Sequence, residues 1–206
     1  PAAAACVARA DAFASGRPAP LALAATVRRL PAGTLLRSGF AGVQAPWWRE
    51  PHVDGGLPPA AALATSLHEM AHAAGWAREA ETDALALLAG IACDDPEVRF
   101  AAGQAAVALV HREVARLDPE APARLDARRE ALPAAVPAAW AAAREASARY
   151  RTPALERVAG AAYDAYLRGQ GVSAGLADYG RAGVVVVAAL AACDREPESD
   201  APWCVP

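Results

Sequence analysis

The stretch that most limits how this chain can fold runs from Pro58 to Gly75, PPAAALATSLHEMAHAAG. Proline suits the first turn of a helix, where its missing N–H would have had no partner, and glycine suits the left-handed residue just past the last turn. The spacing therefore predicts one helix over 59–74 with both ends marked. On that helix His68 and His72 stand four residues apart, slightly more than one turn, so both imidazoles project from one side. From there they can reach one ion at about 2.0–2.1 Å. Glu69 is offset from His68 by about 100°, beside the pair, where its carboxylate can deprotonate a water. Leu67, Met70, Ala71 and Ala74 are left for the opposite, buried side.

An HExxH pattern on its own is suggestive, because a zinc site of this kind needs a third protein ligand. After Gly75 comes WAREAETDALALL, which reads as a second helix, over 79–92, with Glu79, Glu81 and Asp83 near its start. Any of these acids can approach the histidines. Acids in a first turn also favour a helix N-terminus through its dipole, with no metal involved.

Around this motif the chain is long enough, at 206 residues and 55% hydrophobic, to bury a sizeable core in one compact domain. Segments 19–30, 100–117, 123–148, 154–168 and 173–193 are rich in alanine, leucine, arginine and glutamate, strong helix formers punctuated by glycine and proline. Between Pro31 and Pro58 the alanines thin out and glycine, proline, β-branched and aromatic residues take over. That change predicts two or three short strands with tight turns just before the HExxH helix. The expected class is α+β, predominantly α-helical, with a small sheet over about 31–57.

All 20 basic residues are arginine, the net charge is −3, and no basic block occurs, which argues against a nucleic-acid partner. The chain opens PAAAACVARADAF, without an initiator methionine, and reads as a piece processed from a longer chain. The longest apolar run, AGVVVVAALAAC from Ala182 to Cys193, falls well short of the roughly 20 residues that span a bilayer and reads as buried core. Cys6, Cys93, Cys193 and Cys204 lack metal-ligand spacing, so two disulfides in an oxidising compartment are expected. Pairing Cys193 with Cys204 across the turn-rich DREPESDAPW, and Cys6 with Cys93, is one solution; Cys6 with Cys204 and Cys93 with Cys193 is another.

The run HEMAHAAGWAREAETDALALL resembles, without a gap, the HELAHxxGxARExEANFLAYL pattern of a bacterial family known as domain of unknown function 3810, regarded as membrane-anchored zinc metallopeptidases. SGFAGVQAPWWREPHVDGGLP is similar to that family's glycine-rich segment leading to a Glu-Ala-Asn-Val-Asn motif. AAYDAYLRGQGV and GLADYGRAGVVVVAAL resemble its Tyr-Asp-x-Tyr-Leu-Lys and Ser-Tyr-Gly-Arg-Val-Val segments. The resemblance covers roughly residues 30–190.

It implies a zincin-like metallopeptidase domain with zinc held by His68, His72 and Glu79, the last falling on the first glutamate of the family's ExExAN motif. This agrees with the wider glutamate-zincin pattern ExxA[ND], although Thr82 stands where that pattern has alanine, and Glu81 is the rival ligand. Asp83, on the motif's asparagine, lies one turn beyond Glu79 and can accept a hydrogen bond from a ligand histidine. The family's Phe-Thr-Gly stretch is here Trp47, Trp48 and Arg49, and its Glu-Ala-Asn-Val-Asn reads EPHVD, Glu50 to Asp54. Membrane attachment through a segment upstream of residue 1, and an extracytoplasmic location in the cell envelope, are likewise implied.

The function expected is zinc-dependent hydrolysis of a peptide or protein substrate, with Glu69 as general base and Zn2+ as cofactor. The alternative is an inactive zinc-binding or peptide-binding module of the envelope. A strand within 38–54 is expected to lie along the cleft and pair with extended substrate backbone. Tyr163, Tyr179, Arg181 and His52 are the candidates for oxyanion stabilisation, and Trp47 and Trp48 for a substrate pocket or a core pair.

Overall fold

The computed structural model describes residues 2–16, 26–45, 50–118, 120–169, 171, 181–196 and 199–204. Trp47, Trp48, Arg49 and Tyr179 lie outside them, as do the first residues of the helices expected at 19–30 and 173–193. Along the chain come α1 (Ala2–Ser15), β1 (Arg28–Leu30), a 3-10 turn at Leu36–Ser38, β2 (Gly42–Ala45) and β3 (Glu50–Asp54). Then follow α2 (Pro59–Ala74), α3 (Glu79–Ile91), α4 (Pro96–Leu117), α5 (Ala121–Glu130), α6 (Ala135–Tyr150), α7 (Pro153–Gly169) and α8 (Arg181–Arg195). The protein is mostly helical with one small three-stranded sheet, an α+β arrangement.

The punctuation marks act as the sequence predicts. Pro59 opens α2, and Gly75 closes it at φ 111°, its N–H returning to the carbonyls of Ala71 and His72. Asp95 caps α4 by accepting from the N–H groups of Glu97 and Val98, so that helix begins at Pro96, four residues before the expected start at 100. Pro133, unable to donate a backbone hydrogen bond, stands between α5 and α6.

Two expectations need correction. The N-terminal run shows no strong periodicity, because alanine is weakly apolar, and no helix was expected there; it forms α1, whose Val7 and Ala10 are fully buried against α2 and α3. Residues 28–30, expected to be helical, are β1 instead. Here pairing decides the outcome: β1 runs parallel to β3 with Arg28 opposite His52 and Leu30 opposite Asp54, and ladder hydrogen bonds outweigh the local helix propensity of arginine and leucine.

In the sheet order β1-β3-β2, β3 is central and β2 is an antiparallel edge with Gly42 opposite Val53. Below it, α2 and α3 are enclosed by α1, α4 and α8. The cluster built from Leu67, Met70, Leu85 and Val98 joins α2, α3 and α4, and a second one joins Leu87, Leu88 and Leu109 to Ala182 and Val186 of α8. Of the apolar run at the start of α8, Ala182 and Val186 are buried, while Val184, Val185 and Val187 are exposed.

At the end of β3, Asp54 is wholly buried and its carboxylate accepts from four backbone N–H groups: Gly33 at 2.8 Å, Leu35 at 2.7 Å, Leu36 at 3.1 Å and Gly56 at 2.8 Å. Burial works against its charge, but these four donors prevail and hold the carboxyl below its usual range. The acid thereby fixes the turn that leads through Gly39 into β2. Cys6 pairs with Cys93, tying α1 to the end of α3, and Cys193 pairs with Cys204; the pairing that would join Cys6 to Cys204 does not occur. Two disulfides point to an extracellular or otherwise oxidising environment. No helix among the described residues is long and apolar enough to cross a membrane.

Candidate metal centre

Helix α2 delivers His68 and His72 from one side, their rings edge to face with centroids 4.6 Å apart. The turn at Gly75 reverses the chain so that the first residue of α3, Glu79, returns to face them. Its Oε2 lies 3.2 Å from Nε2 of His68 and 3.3 Å from Nε2 of His72. Donor atoms from all three residues lie within 4.8 Å of one another, an arrangement able to hold a metal ion. Two donors each about 2.0–2.2 Å from one ion and a tetrahedral angle apart are separated by about 3.3 Å, which the observed spacings match.

The outer nitrogens are also engaged. Nδ1 of His68 lies 2.6 Å from Oδ1 of Asp83, and Nδ1 of His72 lies 2.7 Å from the backbone oxygen of Trp76. With each Nδ1 turned to an acceptor, Nε2 of both rings faces Glu79, the ring orientation that metal-binding histidines require. Thr82, at the position where the glutamate-zincin pattern has alanine, donates its hydroxyl to the same Trp76 oxygen at 3.1 Å. The departure thus adds a group that steadies the His72 acceptor.

Glu79 is 5% exposed and its other oxygen, Oε1, accepts from the Tyr163 hydroxyl of α7. Burial alone would raise its carboxyl, but His68, His72 and Tyr163 override it and hold Glu79 far below the usual carboxylate range. Glu81, the rival, points away: it is exposed and ion-pairs with Arg78 at 3.3 Å. For His68, burial opposes protonation, while hydrogen bonds to Asp83 and Glu79 push its pKa up to about 10 in the metal-free protein.

Glu69 is 5% exposed and stands next to these donors without being one of them. Burial pushes its carboxyl up to about 7, the nearby imidazoles pulling the other way; a base poised there can both take and return a proton at neutral pH. Its position depends on Gly42 of β2. A Cβ at Gly42 would lie 2.6 Å from Oε1 of Glu69 and 2.7 Å from Cγ2 of Thr65. No motif announced this contact; glycine in a short strand was the one signal of a close approach.

A cleft of about 430 Å³ opens over the centre, bounded by residues 39–42, by Ala64, Thr65, His68 and Glu69 of α2, by Asp83, Ala86 and Leu87 of α3, and by Ala105, Leu109 and Arg112 of α4. A strand within 38–54 is expected along the cleft; of β2 only its first residue, Gly42, borders it, and the rest of that wall is the turn at 39–41. Of the oxyanion candidates, Tyr163 reaches the centre, but through Glu79. His52 is turned to Glu50, Nε2 to Oε2 3.3 Å, and neither His52 nor Arg181 is among the described residues lining the cleft.

A model of the family described as Protein of unknown function (DUF3810) matches residues 24–186. No curated protein and no solved structure matches.

Proposed function

We propose, from the premise that this chain belongs to the DUF3810 family of proteins of unknown function, that it is a zinc-dependent peptidase of zincin-like fold acting on peptide or protein substrates outside the cytoplasm. The observation that carries the reading is the convergence of His68, His72 and Glu79, whose donor atoms lie within 4.8 Å of one another, with the buried carboxylate of Glu69 alongside. Bound by those three residues, zinc would supply a Lewis acid that polarises the scissile carbonyl and acidifies the attacking water. Glu69, buried beside the histidines, takes the water's proton and returns it to the leaving amine. Asp83 and the Trp76 carbonyl hold the two imidazoles in one tautomer. Tyr163 orients Glu79 and leaves its Oε2 turned to the histidines. β2 is an edge strand of the sheet, and its first residue, Gly42, stands beside Glu69 at the cleft, where an extended substrate would pass.

The test pairs metal content with turnover. Protein purified without chelator should carry about one zinc per chain, and Glu69→Gln should keep that zinc while losing hydrolysis of a peptide library by at least about 100-fold. Glu79→Ala should lose zinc and Glu81→Ala should keep it. An active Glu69→Gln protein would falsify the mechanism. Zinc retained with no turnover by the wild-type chain would instead support a binding module.

A further inference from the structure

We infer that the cleft recognises a carboxylate on its ligand, held by Arg112, next to a small apolar subsite made by Ala86, Leu87, Ala105 and Leu109; as a statement about substrates it rests on the peptidase reading. Ala105, Leu109 and Arg112 recur at i, i+4 and i+7, so they form one stripe of α4, and all three line the cleft. Residues 92–95 join α3 to α4, which therefore pack antiparallel, with Gly90 against Ala102. Two turns from that contact Asp83 stands opposite Leu109, and Arg112 comes level with the first turn of α3, which carries Glu79. With packed helices about 8–10 Å apart, the guanidinium is placed at the metal-centre end of the cleft, within reach of a ligand seated there.

The acids on the facing turns of α3 and α4 are already committed. Asp83 is bound to His68, Glu79 to both histidines and Tyr163, and the adjacent Glu113 to Arg116 through contacts of 2.6 and 3.1 Å. The flanking arginines of α4 are engaged as well, Arg116 on Glu113 and Arg99 on the carbonyl of Cys93 at 2.9 Å. Arg112 hydrogen-bonds to and ion-pairs with none of the described residues, and acts on the neighbouring Glu113 through its charge alone. It is the one permanently cationic side chain among the described residues that line the cleft, and its planar fork matches a carboxylate with two parallel hydrogen bonds. The carboxylate can be a peptide's C-terminus or an Asp or Glu side chain.

Titration calorimetry on zinc-loaded Glu69→Gln protein, which binds without cutting, separates the possibilities. The probes are N-acetyl-Ala-Leu-Ala as free acid and as amide, and N-acetyl-Ala-Asp-Ala-amide against its Asn counterpart. At least one acid should bind about 10-fold to 100-fold more tightly than its neutral partner. The arm that shows the preference identifies terminal or side-chain recognition. Adding Arg112→Gln should erase the preference at unchanged zinc content and unchanged Tm, and Arg112→Lys should restore part of it. Equal binding of acid and amide in both arms, no binding by any probe, or a preference that survives Arg112→Gln, as it would if the metal alone held the carboxylate, overturns the inference. Turnover by the wild-type chain is a separate readout, so an inactive protein with Arg112-dependent binding would count against the peptidase reading and not against this site.

Discussion

Gly42→Ala tests the centre through a single methyl group that touches no metal-binding residue. The backbone of Gly42 has no positive φ, so alanine brings no conformational strain of its own. Its Cβ would sit 2.6 Å from Oε1 and 2.9 Å from Cγ of Glu69, and 2.7 Å from Cγ2 of Thr65. Relaxed contacts need about 3.5 Å, so the Glu69 carboxylate must retreat by about 1 Å or β2 must lift away from α2. Overpacking of this kind costs about 1–3 kcal/mol of stability, while a displacement of about 1 Å in a reacting group costs about 100-fold in rate. The expected variant therefore folds, binds zinc at His68, His72 and Glu79, and has kcat lowered by about two orders of magnitude with a smaller change in KM. Peptide hydrolysis, zinc content and a thermal melt measured on one preparation check this. Gly103→Ala on α4, whose Cβ meets nothing within 4 Å, is the control and should be neutral or stabilising by up to about 1 kcal/mol. Wild-type kcat in Gly42→Ala, or loss of zinc with Glu69 still competent, would refute the contact as the constraint on the base.

Zinc uptake should release a proton at neutral pH. The metal-free His68 is held protonated up to about pH 10, and its contribution to the stability of the metal-free protein, present at neutral pH, is lost as pH rises through that value; zinc affinity should accordingly fall about tenfold per unit of acidification below it, as competition titrations in several buffers will show. Asp54→Asn replaces a four-fold acceptor with a group that is half donor, and about 3 kcal/mol of stability should disappear. Because the folded-state pKa of Asp54 is lowered, its contribution is present above the unfolded value near 4 and fades as pH falls through the folded one, so acid denaturation of the wild type should show a component that Asp54→Asn lacks. Removing Cys6–Cys93, separated by 87 residues, should cost more than removing Cys193–Cys204, separated by 11. The chain-entropy model gives about 4.6 against about 2.8 kcal/mol, to be compared in denaturant melts of the two double-serine variants.

What the chain itself determines is local. Helix α2 with its two histidines on one side, its proline start and its glycine stop follows from spacing and from the conformational limits of those two residue types, and so does the sheet segment ahead of it. The choice of Glu79 over Glu81 is partly local as well: with α3 starting at Glu79, two residues along a helix turn a side chain by about 200°, so only one of the pair can face the histidines. Which one does is settled by the reversal at Gly75 and the packing of α3 on α2. Asp83, Thr82 and the Trp76 carbonyl orient the histidines from within the same stretch, but the other groups that adjust the centre come from farther away. Tyr163 reaches Glu79 from 84 residues down the chain, Gly42 meets Glu69 from 27 positions upstream, and Arg112 approaches through the antiparallel pairing of α3 and α4. Segment 28–30 becomes a strand because β3 supplies its hydrogen bonds, and α1 is held as a helix against the core by Val7, Ala10 and a disulfide to Cys93. Periodicity and capping act over a few residues and are legible in one dimension, whereas a hydrogen bond, a steric limit or an unpaired charge between distant residues exists only once tertiary packing has brought them together.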